Sequence, residues 1–146
     1  MGIRRVIIRT GLVLAPDGGI LPLMLLPFHL FAGGPIGAGK QFIPWIHIQD
    51  QVDAILFLLT TETAHGTYNL CAPNPVSNTD FGFIAGQVLR RPNFIPTPSF
   101  LLKLALGEKA SLVLNGQRSI PQRLLEAGYE FEFKNLEAAF RNLERQ

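Results

Sequence analysis

Residues 41–59, QFIPWIHIQDQVDAILFLL, constrain the possible folds of this chain most. An extended run ends in Ile46-His47-Ile48 and passes directly into an apolar helix. Asp50 is placed to cap that helix, and Val52, Ile55, Leu56 and Leu59 form its expected core face. A strand that feeds a helix at once is the repeating step of α/β folds, and the flanking sequence continues the alternation. Residues 4–9 are continuous and β-branched, as a strand buried on both faces should be. Residues 20–31 suit a helix, with Pro22 in its first turn and a kink at Pro27. Gly66 turns the chain into a strand over 67–71. Ser77 and Asp80 resemble a capping box for a helix over 78–89.

Further along, residues 99–106 and 108–114 are patterned as helices. Pro121 opens a short helix that Gly128 ends. Residues 129–133 alternate aromatic and acidic side chains, the period of a half-covered strand, and 136–143 close the chain as an amphipathic helix. A βαβ sheet does not normally open on its most buried strand with no partner before it. The pattern therefore predicts the second half of a doubly wound domain with an appended lobe.

The chemistry-bearing motifs exclude more than they assign. Residues before Gln41 supply no dinucleotide-binding glycine loop, and neither Tyr68 nor Tyr129 is followed by Lys at the fourth position. Gly34, Gly39 and Lys40 imitate a phosphate-binding P-loop, but Gln41 stands where Ser or Thr must hold magnesium. That segment also follows a helix and enters a strand, the reverse of a P-loop. His29, His47 and His65 lack metal-ligand spacing, so no metal site is expected, and no catalytic residue is assigned. His47 admits two readings, a substrate contact or a hydrogen-bonded orienter of neighbouring loops. Gln117, Arg118 and Arg123 could grip a phosphate or carboxylate, or form a solvated face paired with Glu126, Glu130 and Glu132.

Charged residues make up 16% of the chain and hydrophobic ones 47%. The mean hydropathy of +0.23 is high for a domain of 146 residues. Some apolar surface is thus expected to be covered by something else, a partner or a second copy. A net charge of +2 with scattered Lys and Arg gives no nucleic-acid footprint. Residues 20–32 are too short and proline-interrupted for a membrane span. The single Cys71 and the lack of a signal-peptide pattern predict a cytoplasmic, reducing setting.

Five segments resemble the C-terminal half of extended short-chain dehydrogenases/reductases, in the epimerase-like subfamily: IIRTGLVL at 7–14, GGILPLMLLPF at 18–28, GGPIGAGKQFIPWIHIQD at 33–50, YNLCAPNPVSNTDF at 68–81 and NGQRSIPQRLLEAGYEFEF at 115–133. The resemblance implies a Rossmann-type α/β enzyme whose other half holds NAD or NADP and the proton-transferring Tyr and Lys. Residues 1–19 would be a remnant of the Rossmann sheet and 20–146 the substrate lobe, with an epimerase-like C-terminal domain from about 97. Arg9, Thr10 and Gly11 would pass beside the cofactor; Lys40, Gln41, His47, Gln117 and Arg118 would border a small-molecule substrate. Nucleotide-sugar relatives commonly carry Arg at the position of Ile43, and often Asn near the positions of Gly11 and Leu12. Both departures remove polar grip, so a smaller or more apolar carbonyl compound stands level with a sugar nucleotide as the expected substrate. Alone, this half is expected to bind no cofactor and to be inactive. The alternative is a non-catalytic interaction module or self-associating fragment.

Overall fold

The computed structural model describes residues 3–18, 21–31, 33–34, 40–92, 104, 107 and 118–145. The element order is β1 (Val6–Thr10), β2 (Leu12–Leu14), α1 (Leu21–His29), β3 (Phe42–Ile43), β4 (Trp45–His47), α2 (Ile48–Thr60), β5 (Gly66–Leu70), β6 (Val76–Ser77), α3 (Asn78–Leu89), α4 (Gln122–Glu126) and α5 (Leu136–Glu144). The helices expected over 99–106 and 108–114 lie outside the described residues.

The first extended run changes partner halfway. β1 pairs in parallel with β5, from Val6 opposite Gly66 to Thr10 opposite Leu70. β2 pairs in parallel with β4, Leu12 opposite Trp45 and Leu14 opposite His47. Gly11 is the pivot: its N–H donates to the Leu70 carbonyl at 3.0 Å, and the next N–H, of Leu12, donates to Pro44 at 2.6 Å. A Cβ on Gly11 would lie 2.7 Å from the Pro44 carbonyl oxygen, so only glycine lets the strands approach this closely. β3 and β6 form a short antiparallel pair. β5 thus joins residues 66–70 to the ladder of β1.

Two apolar clusters follow. One gathers Leu12, Leu14, Trp45, Phe81 and the inner faces of α1, α3 and α5. The other gathers Ile46, Ala54, Leu58, Tyr68, Leu70, Leu124, Tyr129 and Phe131. Ser77 caps α3 by accepting the Asp80 N–H at 3.2 Å, and α5 turns Leu136, Ala139, Phe140 and Leu143 inward.

Three expectations are corrected. β1 is not buried on both faces: Ile7 and Ile8 are 48% and 40% exposed, because β5 alone among the described residues flanks it. In α2 the buried positions are Asp50, Ala54 and Leu58, whereas Val52, Leu56 and Leu59 are 45–64% exposed. The helix is apolar on nearly every side, so its periodicity did not single out the inner face. Residues 129–133 alternate inward and outward, yet they join no sheet; two of their backbone N–H groups donate to a buried carboxylate instead.

Candidate functional site

The carbonyl ends of β1 and β5 meet the β3–β4 turn at Gly11, and a cavity of ≈ 240 Å³ opens there. Arg9, Thr10, Gly11, Pro44, Asn69, Cys71 and Ser119 line it. This is where α/β sheets place ligands, because the side chains and loops at the strand ends converge there. Arg9 and Asn69 are register partners in parallel strands, so their exposed side chains leave the same face side by side. Thr10 Oγ1 accepts from the amide nitrogen of Gln51 on α2 at 3.2 Å. The Cys71 thiol donates to the Ser119 carbonyl at 3.5 Å, tying the strand end to the C-terminal segment. Burial pushes that thiol from its ordinary value near 9 to about 11, so it is a neutral wall and not a nucleophile.

Of the residues read from the sequence, Arg9, Thr10 and Gly11 come together in this cavity. Arg118 immediately precedes Ser119 and lies over the Phe42 ring at 5.9 Å, a solvent-exposed cation beside the rim. Lys40 is exposed just ahead of β3. The Gln41 carbonyl accepts from the Asn78 N–H at 2.8 Å, holding the loop before β3 to the start of α3. Gln117 lies outside the described residues. Asn69, Cys71 and Ser119 were not read from the sequence; Asn69 becomes visible only once Arg9 is known to face it across the ladder.

His47 is not among the residues that line this cavity. It is 1% exposed, with both ring nitrogens engaged. Nδ1 accepts the Gln49 N–H at 2.9 Å and so caps α2. Nε2 lies 2.9 Å from Asn142 Oδ1, which requires the proton on Nε2 in this hydrogen-bond network. The ring stacks on Phe133 with centroids 4.0 Å apart. The helix begins before Asp50, so Asp50 is not its cap. Its fully buried carboxylate accepts from Tyr129 Oη at 2.8 Å and from the N–H groups of Glu132 and Phe133 at 2.9 Å each. Burial, then the hydrogen bond to Asp50, then the charges of Asp50, Asp53 and Glu132 push the Tyr129 phenol above its ordinary range. His47 and Asp50 thus form a clamp that closes the C-terminal segment onto α2.

Arg123 is likewise structural. Its guanidinium donates to the carbonyls of Thr67 at 2.8 Å and His65 at 2.7 Å and lies over Tyr68 at 4.4 Å, so the tail acids are not its partners. Two larger concavities occur elsewhere: one of ≈ 290 Å³ among α1, α3 and α5, and an apolar groove of ≈ 340 Å³ between β1 and α2. Neither contains a residue from the strand-end group. Among the described residues, no group of three His, Cys, Asp or Glu could hold a metal ion, and no helix is long and apolar enough to cross a membrane.

The fold and the strand-end cavity define a class: the chain corresponds to the C-terminal part of an extended short-chain dehydrogenase/reductase of the epimerase family. The human epimerase family protein SDR39U1 (isoform 2), solved with NADPH, is 41% identical with a TM-score of 0.89, over 97% of this chain and 48% of that one. The chloroplastic SDR39U1 homologue of Arabidopsis thaliana is 45% identical over 95% of this chain and 40% of its own length. A nucleoside-diphosphate sugar epimerase of Corynebacterium glutamicum is 32% identical with a TM-score of 0.69, over 93% of this chain and 25% of that one. A family described as a domain of unknown function, DUF1731, matches residues 97–143. The chain spans about half the length of the human relative.

Proposed function

We propose that this chain is the substrate-side half of an NAD(P)-dependent epimerase or reductase, completed by a dinucleotide-binding half on the same or another polypeptide. The observation that carries the reading is the uncovered face of β1 and α2. Val52, Leu56 and Leu59 expose apolar surface on α2, and Ile8 and Ile7 on the two sides of β1, whose far edge has no partner among the described residues. A further parallel strand and its helix would cover that surface, as the interior of a doubly wound sheet requires. The human relative's NADPH supports a nicotinamide cofactor, which would supply hydride chemistry. Arg9, Thr10 and Gly11 would run beside it at the strand ends, with Lys40, Gln41 and Arg118 bordering the substrate. Neither Tyr of this chain has a Lys at the fourth following position, so proton transfer falls to the other half and this half is inactive alone. A cytoplasmic location suits its buried, unpaired Cys71.

The test mixes the purified chain with the complementary dinucleotide-binding portion of the human relative. A 1:1 complex that binds NADPH, while this chain alone neither binds nor oxidises it, is the expected result. Cofactor-dependent turnover by this chain alone would sink the reading. Formation of stable homodimers that exclude the other half would favour a self-associating module, since the same apolar face would then be occupied by a second copy.

A further inference from the structure

The strand-end cavity is electrostatically one-sided. Among the described residues, its lining contains one cation, Arg9, and no anion. Arg118, next to Ser119 in sequence, lies over Phe42 and outside the described lining. Cys71 contributes no thiolate near neutral pH, because its proton is retained and given to the Ser119 carbonyl. Among the described residues, no hydrogen bond occupies the side chain of Arg9 or of Asn69, although the two stand together on one face. They present a planar fork of N–H donors beside an amide.

Three backbone donors near them are engaged. The N–H groups of Gly11, Leu12 and Ala72 already donate to Leu70, Pro44 and Trp45. Phosphate sites draw on converging free backbone N–H groups or a helix N-terminus, and that supply is missing at these three amides. A guanidinium fork matches the two coplanar oxygens of a carboxylate instead. We propose that Arg9 and Asn69 form a carboxylate-recognition site that selects an organic acid as the substrate of the strand-end cavity. This rests on the proposed function, in which the substrate would lie in this cavity next to the cofactor that Arg9, Thr10 and Gly11 flank.

The experiment is an amide-resolved NMR titration of this chain with acetate, with acetamide as its uncharged counterpart and with inorganic phosphate, all at constant ionic strength. Acetate should give saturable shifts at Thr10, Gly11, Asn69 and Cys71, and acetamide none. Arg9→Gln should weaken acetate binding by roughly tenfold or more, the loss expected for a charge-assisted hydrogen bond. Arg9→Lys, which keeps the charge and loses the fork, should fall between. Arg145→Gln, at the exposed end of α5, should change nothing. Unsaturated or absent shifts at these amides, persistence of binding in Arg9→Gln, or tighter binding of phosphate than acetate would each overturn the assignment. The titration needs neither cofactor nor partner. Acetate binding without complex formation would keep the site and discard the enzyme half; a competent complex without acetate binding would do the reverse.

Discussion

Asp50 is the residue on which the C-terminal segment depends. Its carboxylate accepts three hydrogen bonds from residues 129–133. Asp50→Ala would strand those donors in a buried setting, and a loss of about 3 kcal/mol or more in urea unfolding is expected. Tyr129→Phe removes one of the three and should cost about 1 kcal/mol at neutral pH. It should also alter the alkaline limb. The phenol's folded-state value is raised above its unfolded one, so its contribution is intact below the unfolded value near 10 and is lost as pH rises beyond it. Cys71, raised to about 11, behaves the same way from about pH 9 upward. The wild-type chain should therefore lose stability progressively above about pH 9, and Tyr129→Phe should flatten the upper part of that loss. At pH 8 the Cys71 thiolate fraction is about a thousandth, so iodoacetamide should label the native chain far more slowly than the unfolded one. Gly11→Ala places a methyl 2.7 Å from a backbone oxygen, which cannot swing aside as a side chain can. A cost of about 1–3 kcal/mol is expected, accompanied by shifts at Leu70 and Pro44.

At the scale of elements, what the sequence made legible depended on whether local chemistry decided the outcome. Helix α3 was readable because Ser77 is a side-chain cap with an apolar run behind it, and α5 because its apolar residues keep to one stripe. The strand–helix step at residues 41–59 was readable for the same reason, although the cap proved to be His47. The inner face of α2 was not readable, since Val52, Ala54, Ile55, Leu56, Phe57, Leu58 and Leu59 leave almost no polar side to contrast with. Residues 129–133 carry a strand's alternation, but a carboxylate from a distant helix took the backbone donors that a neighbouring strand would have used. The cavity was half legible: Arg9, Thr10 and Gly11 are local, whereas Asn69 and Ser119 arrive through pairing across roughly half the chain. The two faces of α2 give a direct check. Leu58→Ala, at 3% exposure, should cost about 2–5 kcal/mol, while Leu56→Ala, at 54%, should stay within about 0.5 kcal/mol. If both cost alike in chemical denaturation, the outer face is already packed against something in the isolated chain.

Across the whole molecule, the described parts of the two ends are stitched to one middle segment. β2 pairs with β4, β1 with β5, and the C-terminal segment returns to His47 and Asp50. Trp45, the only tryptophan, is fully buried within this junction and donates to the Asn74 carbonyl at 3.1 Å. A chain joined in this way should unfold as one unit, so Trp45 fluorescence and far-UV circular dichroism should give the same midpoint. The apolar face of β1 and α2 lies outside that stitching and need not be covered for the core to form. Covering it should nevertheless raise stability by mass action, because a partner that binds only the folded chain adds about RT ln(1 + [partner]/Kd), or about 2.7 kcal/mol at a hundredfold excess over Kd. The expected outcome is a midpoint that climbs with the concentration of the dinucleotide-binding half. In Leu56→Lys/Leu59→Glu that rise should be much smaller, with the midpoint of the isolated chain nearly unchanged. A midpoint that climbs equally with the chain's own concentration would assign the face to a second copy. One indifferent to both would mean that this exposed face is not a docking surface.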